Sequence, residues 1–232
     1  MNPQFDRYTK DYDLWLDEAI SVSGETKDYF AGARISLLSA GLGNGATRIA
    51  SVLDFGCGNG SATPHFFACL PVKKVLGVDL SGEMIDAADR VYGSDRAKFI
   101  SLADYRPNEE FDLVFCNGVF HHIPNAERSA ALDIIKRSLQ PQGVFSLWEN
   151  NPWNPGTRYV MKKCPFDKDA ETISSPKARQ MLGQAGFHIL NTRYHFVFPR
   201  LLRALRATEP LFAPLPIGAQ YHILSRTENK GT

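Results

Sequence analysis

The sequence lacks most of the features that mark secreted, membrane-spanning and zinc-stabilised proteins. Its four cysteines show no C-x-x-C spacing, and no cluster of cysteine and histidine has the intervals of a structural zinc site. No basic start is followed by an apolar core, and no run of about 18 apolar residues occurs. We therefore expect a cytoplasmic protein with reduced thiols, without a membrane-spanning helix and without a metal cofactor.

Strong charge of either sign is also missing, as are internal repeats and low-complexity tracts. The formal net charge of +1 leaves no general field for holding nucleic acid, so no nucleic-acid partner is expected. Hydrophobic residues make up 44% of the 232 residues and charged residues 22%, which is ordinary for a globular protein. A chain of this length can bury a substantial core. We expect one α/β domain with insertions, in an oligomeric state that the sequence leaves open.

A glycine-rich stretch in the first third of the chain has the pattern of a ligand-binding loop. The apolar run at residues 52–55 predicts a buried strand, after which Gly56, Gly58 and Gly60 occupy every second position and a helical pattern begins at Ser61. Glycine is needed where φ is positive or where a ligand comes closer than a Cβ allows. The helix start adds unpaired N–H groups at the same place. A ligand is therefore expected on this loop.

The glycine spacing separates two classes of ligand. A dinucleotide fingerprint has the pattern G-x-G-x-x-G, whereas the third glycine here comes one residue early. Asp54 stands two residues before Gly56, and an acid beside the loop suits a positively charged ligand better than a diphosphate. The pattern D-x-G-x-G-x-G resembles motif I of the class I methyltransferases. These enzymes use S-adenosylmethionine, which carries an ammonium, a carboxylate and a sulfonium but no phosphate.

Later landmarks agree with this resemblance. Asp79 closes the next apolar run, 19 residues after Gly60 (79 − 60), where an acid can accept hydrogen bonds from both ribose hydroxyls. Asp104 follows a third apolar run, and in the family an acid there takes a hydrogen bond from the adenine amine. A fourth run at 111–117 resembles the fourth strand, and the sequence HHIP at 121–124 is similar to the HHxP loop of small-molecule members.

The resemblance implies a set of residues that would hold S-adenosylmethionine or its product, S-adenosylhomocysteine. They lie on the glycine loop and at the ends of the predicted strands: Asp54, Gly56, Cys57, Gly58, Gly60, Asp79, Leu80, Met84, Asp104, Tyr105 and Asn117. Structural alternatives stay open for several of them. Asp54 could hold loop amides, Asp79 could be a solvated strand end, Asp104 could close a turn, and Tyr105 could cap its loop.

His121 and His122 are the candidate catalytic residues, because they lie on the loop that should face the transferred methyl group. An imidazole has an ordinary pKa of about 6.5 and could take a proton from an acceptor hydroxyl. The alternative is that the pair shapes the loop and packs near the cofactor, as it does in much of the family.

Residues 1–45 precede the first strand and predict an N-terminal cap of two helices. Residues 5–13 resemble the FDxxAxxYD opening of many methyltransferases, with Thr9 in place of the usual alanine. In that family the segment folds over the cofactor and lines the acceptor pocket, which makes Tyr8 and Tyr12 candidate substrate contacts. Alternatively, the two tyrosines anchor a helix on the domain.

Residues 46–232 alternate strands and helices, which predicts a doubly wound, mostly parallel α/β sheet with helices on both faces. The resemblance adds that there are seven strands and that the last, at 220–225, runs antiparallel between the fifth and the sixth. Insertions at about 151–172 and 199–218 should form a lid above the strand ends, where open α/β sheets bind ligands.

The first insertion and the strand before it carry the candidate acceptor contacts Glu149, Asn150, Trp153 and Arg158. In the alternative interpretation the polar residues among them only close turns.

The second insertion has arginines at 200, 203 and 206 on one helical face and leucines on the other. Such a segment could rest on anionic lipid as a peripheral membrane contact or meet an acidic acceptor. The commoner alternative is a solvated helix packed by its leucines.

The resemblance therefore implies an S-adenosylmethionine-dependent methyltransferase with a small-molecule acceptor, lipid-linked or sugar-derived by analogy. In-line displacement at the sulfonium methyl requires a base only if the nucleophile must lose a proton. Two alternatives remain. One is a non-catalytic cofactor-binding sensor of the same fold, and the other is an NAD(P)-dependent oxidoreductase, against which the glycine interval argues.

Overall fold

A computed structural model describes residues 12–168 and 170–227, which build one sheet of seven strands covered by helices. The strands are β1 (Ser51–Phe55), β2 (Lys74–Asp79), β3 (Ala97–Ser101), β4 (Phe111–Asn117), β5 (Leu139–Asn150), β6 (Phe187–His195) and β7 (Gln220–Thr227). The helices are α1 (Tyr12–Ile20), α2 (Lys27–Leu42), α3 (Thr63–Cys69), α4 (Gly82–Tyr92), α5 (Arg128–Ser138), α6 (Pro155–Lys163), α7 (Ser175–Gln184) and α8 (Glu209–Phe212).

The strand order is β3-β2-β1-β4-β5-β7-β6. Strands β1 to β5 pair in parallel, whereas β7 is antiparallel to both β5 and β6. The predicted fold class is confirmed, including the position of the last strand. Because the chain runs outward from β1 to β3 and then returns to β4, the order reverses between β1 and β4. Open α/β sheets bind ligands at the carboxyl ends of the strands at such a point.

Two hydrophobic clusters lie on the two faces of the sheet, because successive strand residues point to opposite sides. In β1, Val52 belongs to the cluster that includes side chains of α2, α3 and α4, whereas Leu53 belongs to the cluster that includes those of α5 and α7. Phe66 of α3 and Leu132 of α5 are fully buried on the two sides. Helices therefore cover both faces, as predicted.

The start of α4 is fixed by a side-chain cap. Ser81 Oγ accepts a hydrogen bond from the Met84 N–H at 3.2 Å, which satisfies one of the free amides of the first turn. This cap places the first turn of α4 directly after the end of β2.

The turn-forming sequence Pro-Gln-Gly at 141–143 lies inside β5. Pairing with β4 passes from Leu139 opposite Phe111 to Val144 opposite Leu113, so the strand bulges between these pairs. Gln142 has φ of 70°, and a proline at 141 has no N–H for the ladder. The turn residues therefore interrupt the strand without ending it.

Residues Arg200–Thr208 of the second insertion form two short 3-10 helical segments, with three residues per turn, which meet at a kink at Leu202 (φ −103°, ψ 24°). The Arg206 guanidinium lies 2.8 Å from a Glu25 carboxylate oxygen, and Arg200 donates a hydrogen bond to the Gly24 carbonyl. Leu201 is 92% exposed, and Leu202 and Leu205 are also exposed. The expectation of a helix packed by its leucines is wrong, because two of the arginines contact the N-terminal cap while the leucines remain open.

Two predicted acceptor contacts, Tyr8 and Tyr12, lie at or before the first described residue of the chain. Tyr8 and the rest of residues 1–11 lie outside the described residues, and Tyr12 begins α1 with a side chain that is also outside them. The role of both tyrosines in an acceptor pocket therefore stays a prediction.

All four cysteines are free thiols. Among the described helices, none has the length and apolar composition needed to cross a bilayer.

Candidate active site

The glycine loop joins the end of β1 to α3 at the point where the strand order reverses. The Gly56 and Cys57 amides both donate to the Val78 carbonyl of β2, at 2.8 and 3.0 Å. Gly56, Gly58 and Gly60 have φ of 75°, 52° and 76°, so the positive φ expected from the sequence is confirmed at all three.

Gly56 and Gly58 meet different surroundings. A Cβ built on Gly56 would lie 2.3 Å from a methyl group of Val119, so the backbone there is closely packed. A Cβ on Gly58 would have no atom within 4 Å among the described residues. The loop is therefore closed behind Gly56 and open over Gly58, which leaves space for a ligand against the backbone.

Two acids meet at this loop. Asp54 of β1 is 3% exposed, and its burial, together with the nearby Asp79 carboxylate, raises its pKa to about 7. Asp79 accepts hydrogen bonds from the Gly58 and Ser81 amides, each at 2.9 Å. Asp79 thus shapes the loop, and Asp54 is a buried carboxyl that a neighbouring cation would stabilise as the anion.

Asn117 at the end of β4 adds an acceptor to the same end of the sheet. Its side-chain oxygen is buried and has no hydrogen-bond partner in the described part of the chain. Buried acceptors are normally satisfied, and leaving one unpaired costs on the order of 1–3 kcal/mol. Asn117 and Asp54, on neighbouring strands, are together suited to a ligand that brings hydrogen-bond donors and positive charge.

The other predicted cofactor residues lie in different environments. Leu80 is 44% exposed, Asp104 is exposed, and Met84 is buried in the first turn of α4. Tyr105 is buried in the hydrophobic core, where its hydroxyl donates to Ser138 Oγ at 2.8 Å. This core hydrogen bond gives the Tyr105 hydroxyl a structural role, and its predicted contact with the cofactor stays a prediction.

The two histidines lie on the short 3-10 helix Phe120–His122 after β4, and Glu149 of β5 holds this helix. Glu149 is fully buried; one carboxylate oxygen accepts from the Phe120 amide at 2.8 Å and the other lies 2.6 Å from His121 Nδ1. Glu149 was expected to contact the acceptor. Its two oxygens bind the loop instead, because the side chain points into the interior from a central strand.

His121 and His122 differ in protonation. Burial favours the neutral ring of His121, but the Glu149 and Asp167 carboxylates outweigh it and raise its pKa to about 10. Burial lowers the pKa of His122. A general base must be unprotonated at working pH, so the base role predicted for His121 does not fit this geometry. His122 is the member of the pair that could accept a proton.

Comparison with known proteins agrees with this arrangement. Residues 53–145, which run from β1 into β5, match the family model of a methyltransferase domain. This part of the chain is therefore similar to methyltransferase domains. It contains the glycine loop, the acids at or just after the ends of β1, β2 and β3, and the histidine loop described above.

Relatives of the methyltransferase domain act on different compounds. The chain is 40% identical over 102 residues to a trans-aconitate 2-methyltransferase of Rhizobium rhizogenes, covering 44% of this chain and 39% of that protein. It is 36% identical over 98 residues to the cyclopropane-fatty-acyl-phospholipid synthase of Escherichia coli, covering 41% and 25%. The chain thus spans less than half the length of these curated relatives.

Solved structures agree with the fold of the methyltransferase domain. A SAM-dependent methyltransferase of Thermotoga maritima, described as a possible histamine N-methyltransferase, superposes with a TM-score of 0.66. The two sequences are 16% identical, and the match covers 97% of this chain and 98% of the other. At this identity the match concerns the architecture.

Two residues near the histidine loop were missed by the sequence analysis as site residues. Asp167 is on the 3-10 helix Pro165–Asp167 of the first insertion, and its carboxylate lies 3.3 Å from His122 Nε2. Arg128 is 2% exposed and donates to the carbonyls of Phe120 and Ile123, at 3.2 and 2.9 Å. No local pattern signals either contact, since each depends on how separate segments pack.

The remaining candidate acceptor contacts are spread along the start of the first insertion. Asn150 accepts a hydrogen bond from the Gln220 amide at 3.0 Å, which links β5 to β7. The Trp153 side chain is 52% exposed, and Arg158 is exposed on α6, which packs against α1. Trp153 and Arg158 are free to meet an acceptor, and their role stays a prediction.

Proposed function

We propose that the chain transfers a methyl group from S-adenosylmethionine to a small-molecule acceptor. Three features at this end of the sheet support the proposal: the open space over Gly58, the buried Asp54 carboxyl, and the Asn117 oxygen that has no partner among the described residues. A ligand with an ammonium group would satisfy both acceptors. A diphosphate would instead bring negative charge beside Asp54 and Asp79, which costs energy in a poorly hydrated site.

The residues at the strand ends fit the parts of this cofactor. Asp54 and Asn117 would hold the ammonium group, Asp79 would accept from the ribose hydroxyls, and Asp104 and Leu80 would lie toward the adenine. Both Asp79 oxygens already accept one loop amide each, and a carboxylate oxygen has a second lone pair for a hydroxyl. When bound, S-adenosylmethionine would supply an electrophilic methyl group on its sulfonium.

The main contribution of the chain would be to position the acceptor against the methyl group and to exclude water from the site, and acid–base chemistry would contribute less. Methyl transfer needs the acceptor atom in line with the bond that breaks, and it needs a base only if that atom carries a proton. Where a base is required, His122 is the candidate, because burial lowers its pKa. Trp153 and Arg158 on the first insertion would contact the acceptor, and the relatives' differing substrates leave its identity open.

Cofactor binding tests the proposal directly. Isothermal titration calorimetry should show binding of S-adenosylmethionine and S-adenosylhomocysteine and none of NAD. Asp54→Asn should weaken both sulfur ligands about 10- to 100-fold, the loss expected for a hydrogen bond to a charged group. Asp86→Asn, at an exposed acid of α4, is the matched control and should bind like the wild type. Tight NAD binding would reverse the choice of ligand.

Methyl transfer itself needs a second experiment. Incubation with methyl-labelled cofactor and a metabolite extract should yield a labelled small molecule that depends on the protein. If both sulfur ligands bind but a broad screen gives no labelled product, the sensor alternative would be favoured over an enzyme.

The second insertion is proposed as a peripheral membrane contact. Leu201, Leu205 and Leu211 are exposed, with Leu201 at 92% and Leu211 at 77%. Apolar side chains that stay open beside basic residues can enter the headgroup region of an anionic bilayer. Leu201→Ser should reduce co-sedimentation with phosphatidylglycerol vesicles, whereas Val91→Ser, at an exposed valine on α4, should not. Equal sedimentation of all three proteins would exclude this contact.

A further inference from the structure

Three metal-ligating side chains meet where the histidine loop touches the first insertion. His121 Nε2 lies 3.6 Å from Asp167 Oδ1, and His122 Nε2 lies 3.3 Å from the same oxygen. The three residues offer one ligand atom each, all within 4.8 Å of one another. Ligands of one tetrahedral zinc ion with bonds of about 2.1 Å stand roughly 3.4 Å apart. The two separations to Asp167 are close to this value.

The same separations are long for hydrogen bonds. A well-formed N–H···O bond spans about 2.7–3.2 Å, and both contacts to Asp167 are longer. By contrast, the His121 Nδ1 contact to Glu149 is 2.6 Å. His121 is therefore tightly paired on one side of its ring and only loosely paired on the other.

Glu149 acts on His121 in the way that a second carboxylate acts in metalloproteins. Metal-bound histidine usually donates its other ring N–H to a carboxylate or carbonyl, which fixes the ring and its tautomer. Glu149 contacts Nδ1 and leaves Nε2 directed toward Asp167 and His122. Because Glu149 is fully buried and also accepts the Phe120 amide, its own position is fixed.

The cluster is enclosed and still accessible. The side chains of His121 and Asp167 are 3% and 7% exposed, whereas that of His122 is 18% exposed. Three protein ligands with an opening beside one of them is the arrangement of a site that keeps a fourth position for water or substrate. Two imidazoles with one carboxylate favour a transition-metal ion such as Zn²⁺ over Mg²⁺ or Ca²⁺, which prefer oxygen ligands.

We propose that His121, His122 and Asp167 bind one divalent transition-metal ion, with Zn²⁺ as its representative, and that Glu149 orients His121 for it. With the ion bound, His122 Nε2 is a metal ligand, so His122 serves as the candidate base only in the metal-free chain. The proposal departs from the expectation of no metal, which was based on linear spacing. Asp167 follows His122 by 45 residues (167 − 122), an interval that no short motif covers. The ion would also tie the first insertion to the end of the sheet, because Asp167 is its only ligand from the insertion.

Zinc binding to the full, untagged chain after treatment with EDTA tests the proposal without any cofactor. Titration calorimetry should show one Zn²⁺ per chain, and Co²⁺ should give a visible d–d absorption of the bound ion. His122→Gln and Asp167→Asn each remove a ligand and should abolish the cobalt spectrum. Glu149→Gln should keep the stoichiometry but weaken binding about 10- to 100-fold.

The matched control is a histidine–aspartate pair that joins α3 to α2. His65 Nε2 lies 3.0 Å from Asp28 Oδ1, and among the described residues this pair is not part of a larger group of possible metal ligands. His65→Gln should leave zinc affinity unchanged. Circular dichroism of each metal-free variant checks that it is folded. The proposal is overturned if the wild type binds no stoichiometric Zn²⁺, or if folded His122→Gln and Asp167→Asn bind it as the wild type does. Neither result bears on cofactor binding, which is measured separately.

Discussion

At the scale of single residues, Gly56 and Gly58 share positive φ but not surroundings. Gly56 faces Val119, and Gly58 faces open space. A side chain added at Gly56 should therefore lower the stability of the fold, whereas one added at Gly58 should lower the affinity for a ligand on the loop. The same local pattern thus contains one packing position and one binding position.

A pair of alanine variants separates these two effects. Gly58→Ala adds backbone strain of about 1–2 kcal/mol and a methyl group in the space proposed for the cofactor. We expect Gly58→Ala to lose at least tenfold in S-adenosylhomocysteine affinity with a modest fall in Tm. Gly56→Ala should lower Tm further, because its Cβ would clash with Val119. Calorimetry measures the affinity, and thermal unfolding measures Tm. Unchanged affinity in Gly58→Ala would show that the ligand binds elsewhere.

The raised pKa of the Asp54 carboxyl should make cofactor binding depend on pH. Its pKa in the free protein is raised to about 7, by burial first and by Asp79 second. An ammonium ligand prefers the carboxylate, so below pH 7 a proton must leave before the ligand binds. S-adenosylhomocysteine affinity should fall by up to tenfold per pH unit as pH drops from 7 to 5.5. In Asp54→Asn this pH dependence should disappear, and a flat wild-type profile would contradict the role of Asp54.

At the scale of elements, the second insertion is attached to the N-terminal cap through its arginines. Arg206 pairs with Glu25, donates to the Phe198 carbonyl and lies over the Tyr29 ring at 4.9 Å from its centroid. Glu25 is 12% exposed at its side chain and Arg206 22%, so the pair is partly shielded from water. One side chain therefore connects the insertion to the helix pair that precedes the sheet.

Arg206→Met tests this connection while keeping the length of the side chain. Removing the guanidinium leaves Glu25 without its ion-pair partner and the Phe198 carbonyl without its donor. We expect a loss of about 1–2 kcal/mol in the free energy of unfolding, measured by urea denaturation. Arg203→Met, at an exposed arginine of the same 3-10 helix, is the control and should change stability by less than about 0.5 kcal/mol. If both variants behave alike, the Arg206 contacts do not hold the insertion.

At the scale of the whole molecule, a buried histidine in the middle of the sheet connects folding to pH. His222 of β7 is 2% exposed, stacks on Trp148 with ring centroids 4.4 Å apart, and its Nε2 lies 3.0 Å from Ser146 Oγ. Burial, and secondarily the neighbouring His195, lowers the pKa of His222 to about 3. The folded state therefore requires the neutral ring.

Because the folded pKa lies below the ordinary value of about 6.5, the stability linked to His222 is complete above pH 6.5 and falls as pH drops toward 3. Between pH 7.5 and pH 5 the wild type should lose roughly 2 kcal/mol relative to His222→Gln, whose side chain does not titrate. Denaturant unfolding of both proteins at the two pH values measures this difference. A difference that stays constant with pH would show that His222 does not require the neutral form.

Most of the fold was determined by the sequence itself. Apolar runs followed by turn formers predicted the strands, and the repeated alternation of strands and helices predicted the sheet. Both signals are local, because hydrophobic periodicity and turn-forming residues are properties of short stretches of the chain. The same holds for the positive φ of the glycine loop and for the cap at Ser81, which neighbouring residues create. The methyltransferase resemblance likewise came from residues close together in the chain.

Only the tertiary structure decided what each polar side chain faces. Glu149 changed from an expected acceptor contact to the buried partner of the histidine loop, and the Tyr105 hydroxyl was found bonded to Ser138 in the core. Asp167 joined His121 and His122 across 45 residues of chain (167 − 122). Such contacts depend on which faces of distant segments pack together, and a one-dimensional pattern of hydrophobic and turn residues does not contain that information.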